Sequence, residues 1–186
     1  GFPSLPKVAR IVAVSGSCSP TTARQIRHAL ANGFTGLHAD PLDLAADPDA
    51  TVARLSAEAQ RLMGEGRSVL VYTALDPELD RGGPLDAIPG GRHRVGQGLG
   101  RIARNCIEAF RLTRAILAGG DTSSHALGEL DVFALTTRFP LTATPGSPLC
   151  TAASNDPKLD GLEIAMKGGQ VGGDDYFVAL RDGIAA

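Results

Sequence analysis

Three times along this chain a short apolar run breaks into a turn of small residues and then into the start of a helix. The segments are VSGSCSPTT (14–22), LAGGDTSS (117–124) and MKGGQVGGDD (166–175). Apolar runs of strand length that alternate with helical periods argue for parallel strands joined by crossover helices. In such a sheet all three turns fall on the edge formed by the carboxyl ends of the strands, where ligands of open α/β sheets gather.

The rest of the chain fits that frame. ARIVAVSG (9–16) reads as a buried strand. Ser19 is a good N-cap, and Pro20 sits at the first helical position, where proline is tolerated. Ala23, Ile26 and Leu30 follow at helical spacing, and Gly33 supplies a stop. GLHADPLDL (36–44) reads as a weaker strand. Asp47-Pro48 repeats the cap-then-proline start, ahead of an apolar stripe from Val52 to Met63. SVLVYTA (68–74) reads as a third strand and TRAILAGG (113–120) as a fourth. Between them, the segment 80–98 holds six glycines and two prolines and reads as an irregular loop, either a lid or inter-domain contact or a disordered insertion. An amphipathic helix follows from Leu99 to Phe110. DTSSHALGEL (121–130) reads as a short helix capped by Asp121 or Thr122. DVFALTT, LTATP and LCTAAS read as short β segments, EIAMK as the last strand, and DDYFVALRDG as a closing helix capped near Asp174. The expected fold is α/β: a layered, mixed, mostly parallel sheet with helices on both faces.

Composition narrows the function classes. The chain has 186 residues, is 43% hydrophobic and 20% charged, and carries a net charge of −2. Those are values of one globular domain, and they point away from nucleic acid and from an anionic membrane surface. Aromatics make up only 4%, with no Trp, so a stacking platform for single strands is not expected. No apolar run reaches spanning length. Cys18, Cys106 and Cys150 form no CxxC pair, which fits a reducing cytoplasm. The four histidines lack metal-ligand spacing, so no protein-bound metal is expected. His93 and His125 read as surface residues, and Cys18 as packing. The opening GFPSLPK, with two prolines and no period, reads as a linker or truncated inter-domain edge over 1–8, ahead of a domain over 9–186.

The three turns carry the chemistry. Each offers unpaired backbone N–H groups at a helix start, where the macrodipole favours negative charge. Glycine lets the backbone approach a ligand, and Ser and Thr hydroxyls suit phosphate oxygens. Bland readings stand beside this one. Ser15, Ser17 and Ser19 can be cap and turn alone. Asp121 divides between an N-cap and a role in binding or base chemistry. Lys167 divides between a solvated strand end and a phosphate contact, and Asp174 and Asp175 are first-turn acids. Arg92, His93 and Arg94 read as a solvated cluster, or as phosphate contacts if the loop is a lid. No GxxxxGK[ST] run is present, and GQGLG (96–100) follows no strand, so any nucleotide cradle is of another type.

In this order, VSGSCSPTTARQI, AGGDTSS and KGGQVGGDDYF resemble the C-terminal nucleotide-binding domain of the four-carbon acid sugar kinase family, over nearly the whole chain. Where that family carries a KSGNFG-like run, this chain has Lys167-Gly168-Gly169-Gln170-Val171-Gly172. The resemblance implies ATP, carried with Mg²⁺, and phosphorylation of the terminal hydroxyl of threonate, erythronate or 3-oxo-tetronate. It implies that a separate N-terminal domain holds the sugar acid and that this piece is inactive alone. ATP would lie against Ser15, Gly16 and Ser17, against Gly119, Gly120, Asp121 and Thr122, and against Lys167, Gly168, Gly169 and Gly172. Asp121 would orient Mg²⁺ or take the hydroxyl proton. A homodimer is compatible with this reading. The competing reading is a non-catalytic nucleotide- or phosphate-binding regulatory module of the same fold.

Overall fold

Val12–Ser15, four consecutive buried residues, form β1, the third strand across a seven-stranded sheet. The computed structural model describes residues 2–184. After β1 come α1 (Pro20–Ala31), β2 (Phe34–His38), α2 (Pro41–Ala46), α3 (Pro48–Gly64) and β3 (Ser68–Tyr72). A 3-10 turn (Pro77–Leu79) leads to α4 (Gly82–Asp86), α5 (Gly91–Phe110), β4 (Arg114–Ala118) and α6 (Gly120–Gly128). β5 (Val132–Phe139), β6 (Leu149–Ser154), β7 (Glu163–Lys167) and α7 (Tyr176–Asp182) complete the chain.

The strand order is β2-β3-β1-β4-β7-β6-β5. The first five run parallel, while β6 and β5 add an antiparallel end. Successive side chains of a strand point to opposite faces. Accordingly Val12, Val14, Val69, Val71, Ala115 and Leu117 pack against α2, α3, α5 and α6. Ala13, Leu70 and Ile116 pack on the other face with Ile26 and Ala29 of α1 and Phe177 and Leu180 of α7. The expected mostly parallel sheet with helices on both faces is therefore what forms. Near the start of the chain, Leu5 is buried and pairs with Ile184, and the Val8 N–H donates to the Arg181 carbonyl. Among the described residues no helix is long and apolar enough to cross a membrane.

Capping explains where several helices begin. The Ser19 Oγ accepts from the Thr22 N–H (3.1 Å), Asp40 caps α2 through the Leu42 N–H (2.9 Å), and Asp47 caps α3 through the Ala50 N–H. Asp40-Pro41 also overturns part of the strand expected over 36–44, because the chain has already turned into α2 there. LTATP is a turn rather than a strand. Gly119, not Asp121 or Thr122, occupies the cap of α6, and α7 starts after Asp175 with no side-chain cap bond.

The segment 80–98 is neither a disordered insertion nor an irregular lid. It contains α4 and the first two turns of α5. Glycine lowers helix propensity by about 1 kcal/mol relative to alanine, but here its small size carries the packing. A Cβ on Gly96 would stand 2.6 Å from the His125 Cβ, and one on Gly100 would stand 2.6 Å from the Ala126 carbonyl oxygen. Glycine at these positions lets α5 and α6 approach backbone to backbone.

Candidate functional site

The β1–α1 turn is organised by its own serines. The Ser17 N–H donates to the buried Ser15 Oγ (3.4 Å) and the Ser19 N–H to the Ser17 Oγ (3.2 Å). Its neighbour is the β4–α6 turn, joined to it by the Gly16 N–H donating to the Ala118 carbonyl (3.0 Å). Gly119 has φ +105°, and a Cβ there would lie 3.1 Å from the Ser17 nitrogen. Only glycine meets both demands without strain. Thr122 then packs directly over Gly16.

The third turn, after β7, is tied down from both sides. The Gly119 N–H donates to the Lys167 carbonyl (3.0 Å). Thr22 Oγ1 donates to the Gly169 carbonyl (2.8 Å), as does the Ser19 hydroxyl. Gln25 Nε2 donates to the carbonyls of Val171 (2.9 Å) and Gly173 (3.0 Å). Lys167 is not a solvated strand end. Its side chain is 1% exposed, and Nζ donates to Thr22 Oγ1 (3.1 Å) and to the carbonyls of Gly168 (2.8 Å) and Gly169 (3.4 Å). An ammonium has three donors, so the lysine is fully engaged in holding this turn against α1.

Burial pushes the Lys167 ammonium down from 10.5 to about 8. Between those two values the unfolded chain binds more protons than the folded one, so this group adds stability as pH rises through that window. We expect the urea midpoint to gain such a contribution between about pH 8 and pH 10.5. Lys167→Met will lack it; identical pH slopes for the two proteins would contradict the assignment.

A cavity of about 210 Å³ opens where the first two turns meet. One wall is Gly16, Ser17 and Cys18 with Gly119, Gly120, Asp121 and Thr122. The same cavity is also lined by Asp80, Arg81, Gly82 and Leu85 around α4, and by Arg92 and Val95 of α5. The first N–H groups of α6 have no intrahelical acceptor, and they belong to residues of this wall. Asp121 is exposed in the first turn of α6 and has no hydrogen bond or ion pair among the described residues. The structure thus brings Gly16, Ser17, Gly119, Gly120, Asp121 and Thr122 around one cavity. Ser15 lies buried beneath it, and Lys167, Gly168, Gly169 and Gly172 belong to the adjoining turn rather than to its wall.

Sequence reasoning missed several wall residues. Cys18 is exposed rather than packed, and its Sγ lies 3.8 Å from Asp80 Oδ1. Partial burial and then the Asp80 charge push its thiol up, so it is a neutral thiol and not an activated nucleophile. Arg92 forms a two-toothed ion pair with Asp86, and its guanidinium holds that carboxyl below the ordinary carboxylate range. His93 is exposed and His125 half-buried, their rings edge to face at 4.2 Å. A larger cavity of about 560 Å³ lies between Phe139–Thr144 and α7. No predicted site residue lines it, and its apolar walls suit no anion.

Comparison with known proteins adds three findings. Residues 12–177 match the family described as nucleotide-binding C-terminal domain. The chain is 39% identical over 197 aligned positions to a 3-oxo-isoapionate kinase of Paraburkholderia graminis, covering 97% of this chain and 41% of that protein. It is 32% identical over 172 positions to a 3-oxo-tetronate kinase of Cupriavidus necator, covering 91% and 37%. The chain thus spans about two fifths of the length of these curated relatives. Among solved structures, a Bordetella bronchiseptica domain of unknown function, crystallised with bound citrate as a domain-swapped dimer, shares the fold. Its TM-score is 0.72 at 21% identity, over 96% of this chain and 42% of that one.

Proposed function

The chain belongs to the four-carbon acid sugar kinase family, as its nucleotide-binding C-terminal domain, and from that premise we propose that it holds the ATP with which such a kinase phosphorylates the terminal hydroxyl of a sugar acid. The observation that carries this reading is the cavity between the β1–α1 and β4–α6 turns. The first turn of α6 with its free amides, Ser17 and two arginines line it together. That is an environment for phosphate groups at the carboxyl edge of a parallel sheet.

In this reading Ser17, Gly119, Gly120, Asp121 and Thr122 face the phosphates, with Gly16 admitting them close to the backbone. Gly168, Gly169 and Gly172 border the site on the β7 side. Ser15 and Lys167 act through the turns that they hold. Carboxylate oxygens are the ligands that Mg²⁺ prefers beside phosphate. Asp121, unpaired among the described residues, fits that ion, with Asp80 of the same cavity as a second carboxylate. When bound, Mg²⁺ neutralises charge on the phosphates. The chain's own part is to orient the nucleotide and exclude water at the α6 turn, and the carboxylate of Asp121 either holds that ion or accepts the proton of an incoming hydroxyl. Residues 9–186 form the nucleotide domain, and the sugar acid, a threonate, erythronate or 3-oxo-tetronate, is held by a separate domain of the complete kinase. A homodimer and a cytoplasmic setting belong to the same reading.

Titration calorimetry of this chain with Mg-ATP tests it. Binding is expected at or below millimolar nucleotide, and Asp121→Ala will weaken Mg-ATP by about tenfold, the loss of one charge-assisted contact. No heat at millimolar Mg-ATP would overturn the reading. Unchanged affinity in the variant would remove Asp121 from the site.

A further inference from the structure

A nucleotide triphosphate brings several negative charges, and phosphoryl transfer depends chiefly on placing positive charge around them. The cation nearest the glycine turns in sequence is Lys167. It is not available: its three donors are engaged by Thr22, Gly168 and Gly169, and it lies outside the cavity wall. The cations that line the cavity are Arg81 and Arg92, both from the segment between β3 and the body of α5.

Their present partners leave them free to act. The Arg92–Asp86 pair is exposed on both sides, with 63% and 59% of the two side chains accessible. A pair so exposed is worth little, so a phosphate can displace Asp86 from the guanidinium. Arg81 is exposed and has no ion pair among the described residues. A guanidinium presents a planar fork that matches phosphate in two-toothed fashion, which an ammonium cannot do. Both arginines line the same cavity as the first turn of α6, so a phosphate held by the amides of Gly120–Thr122 shares that cavity with them.

We infer that Arg81 and Arg92, which line this cavity together with the α6 turn, are the residues that bind the β- and γ-phosphates of the nucleotide. The inference rests on the nucleotide reading above and extends it. It assigns the charge to the α4–α5 corner and gives Lys167 a purely positioning part. Asp86 becomes a competitor that occupies Arg92 until nucleotide arrives.

The test compares AMP with ADP, because AMP lacks the β-phosphate. Calorimetry is run on the wild-type chain and on Arg81→Ala, Arg92→Ala, the double variant, Arg92→Lys and Asp86→Ala, with thermal melts to confirm folding. Each single alanine variant will lose about tenfold in ADP affinity and the double variant about a hundredfold, while AMP affinity stays within about threefold. Arg92→Lys will fall between wild type and Arg92→Ala. Asp86→Ala will bind ADP at least as tightly as wild type, a result that a merely structural ion pair would not give. The inference is overturned if the double variant binds ADP as wild type does, the result expected if the arginines serve a carboxylate substrate instead. It is also overturned if AMP and ADP lose affinity equally. A wild-type chain that binds neither nucleotide refutes the nucleotide reading itself and this inference with it.

Discussion

Replacing Arg114 by leucine will destabilise the protein by about 3–5 kcal/mol, the range for stripping one partner from a buried ion pair. Arg114 opens β4 and is 0% exposed. Its Nε and Nη2 donate to Glu163 Oε1 at 3.2 and 2.9 Å, and Nη1 donates to the carbonyls of Pro6 (3.0 Å) and Leu180 (2.7 Å). One side chain therefore joins β4, β7, the end of α7 and the segment before β1. Leucine leaves two carbonyls without a donor, and Glu163 keeps only Arg138, at 3.3 Å. Arg114→Lys will recover little, because a point charge cannot reach three acceptors along a planar fork. Removing Glu163 as well, as a Leu/Gln double variant, will restore part of the loss, since the stranded carboxylate disappears. Urea unfolding measures all of this; a single-variant loss below about 1 kcal/mol, the level of an ordinary exposed pair, would be incompatible with it. Arg114 lies at the amino end of its strand, away from the glycine turns, so Mg-ATP affinity of the folded fraction should hold.

Gly100→Ala will cost about 2 kcal/mol and will also weaken nucleotide binding. The added Cβ would meet the Ala126 carbonyl oxygen at 2.6 Å and its Cα at 2.7 Å. Both are backbone atoms of α6, which cannot swing aside as a flexible side chain would. The helices must separate, and overpacking of this kind costs about 1–3 kcal/mol or more, against about 1 kcal/mol gained in helix propensity. For a domain of this size the melting temperature should fall by about 4–8 °C. Because α6 begins at Gly120, its displacement moves Asp121 and Thr122 away from Ser17, and Mg-ATP affinity should fall as well. Gly128→Ala is the control, as a Cβ there meets nothing within 4 Å. It should be neutral or slightly stabilising. A Gly100→Ala variant that melts with the control would show that α5 and α6 adjust freely.

Elements with local chemical signals are legible in the residues themselves. Ser19-Pro20 and Asp47-Pro48 mark the starts of α1 and α3, and the apolar runs mark β1, β3 and β4. That the three turns share one sheet edge follows from parallel topology; that the first two meet follows from the pairing of β1 with β4. What stays hidden depends on contacts distant in sequence. Gly96 and Gly100 look like loop residues until α6 is laid against them, and only then does their small size favour a helix. Lys167 looks solvated until Thr22 and the Gly169 carbonyl close over it. Cys18 looks like packing, yet the path of α4 leaves it at the cavity mouth. Arg81 and Arg92 sit in a stretch whose glycines and prolines disguise two helices, so no local pattern could place them in the cavity beside the α6 turn.

The position of β1 also sets the order in which the molecule can assemble. Val12 pairs with Val69 on one side and with Ala115 on the other, and no strand adjacent in sequence is its neighbour in the sheet. By contrast, β5, β6 and β7 are consecutive in the chain and pair in that same order. Contacts close in sequence form fastest, because little chain entropy is lost in closing them. The antiparallel end can therefore nucleate early, while the parallel centre waits on long loops. The turns after β1 and β4, which hang from that centre, take their shape only once it has closed.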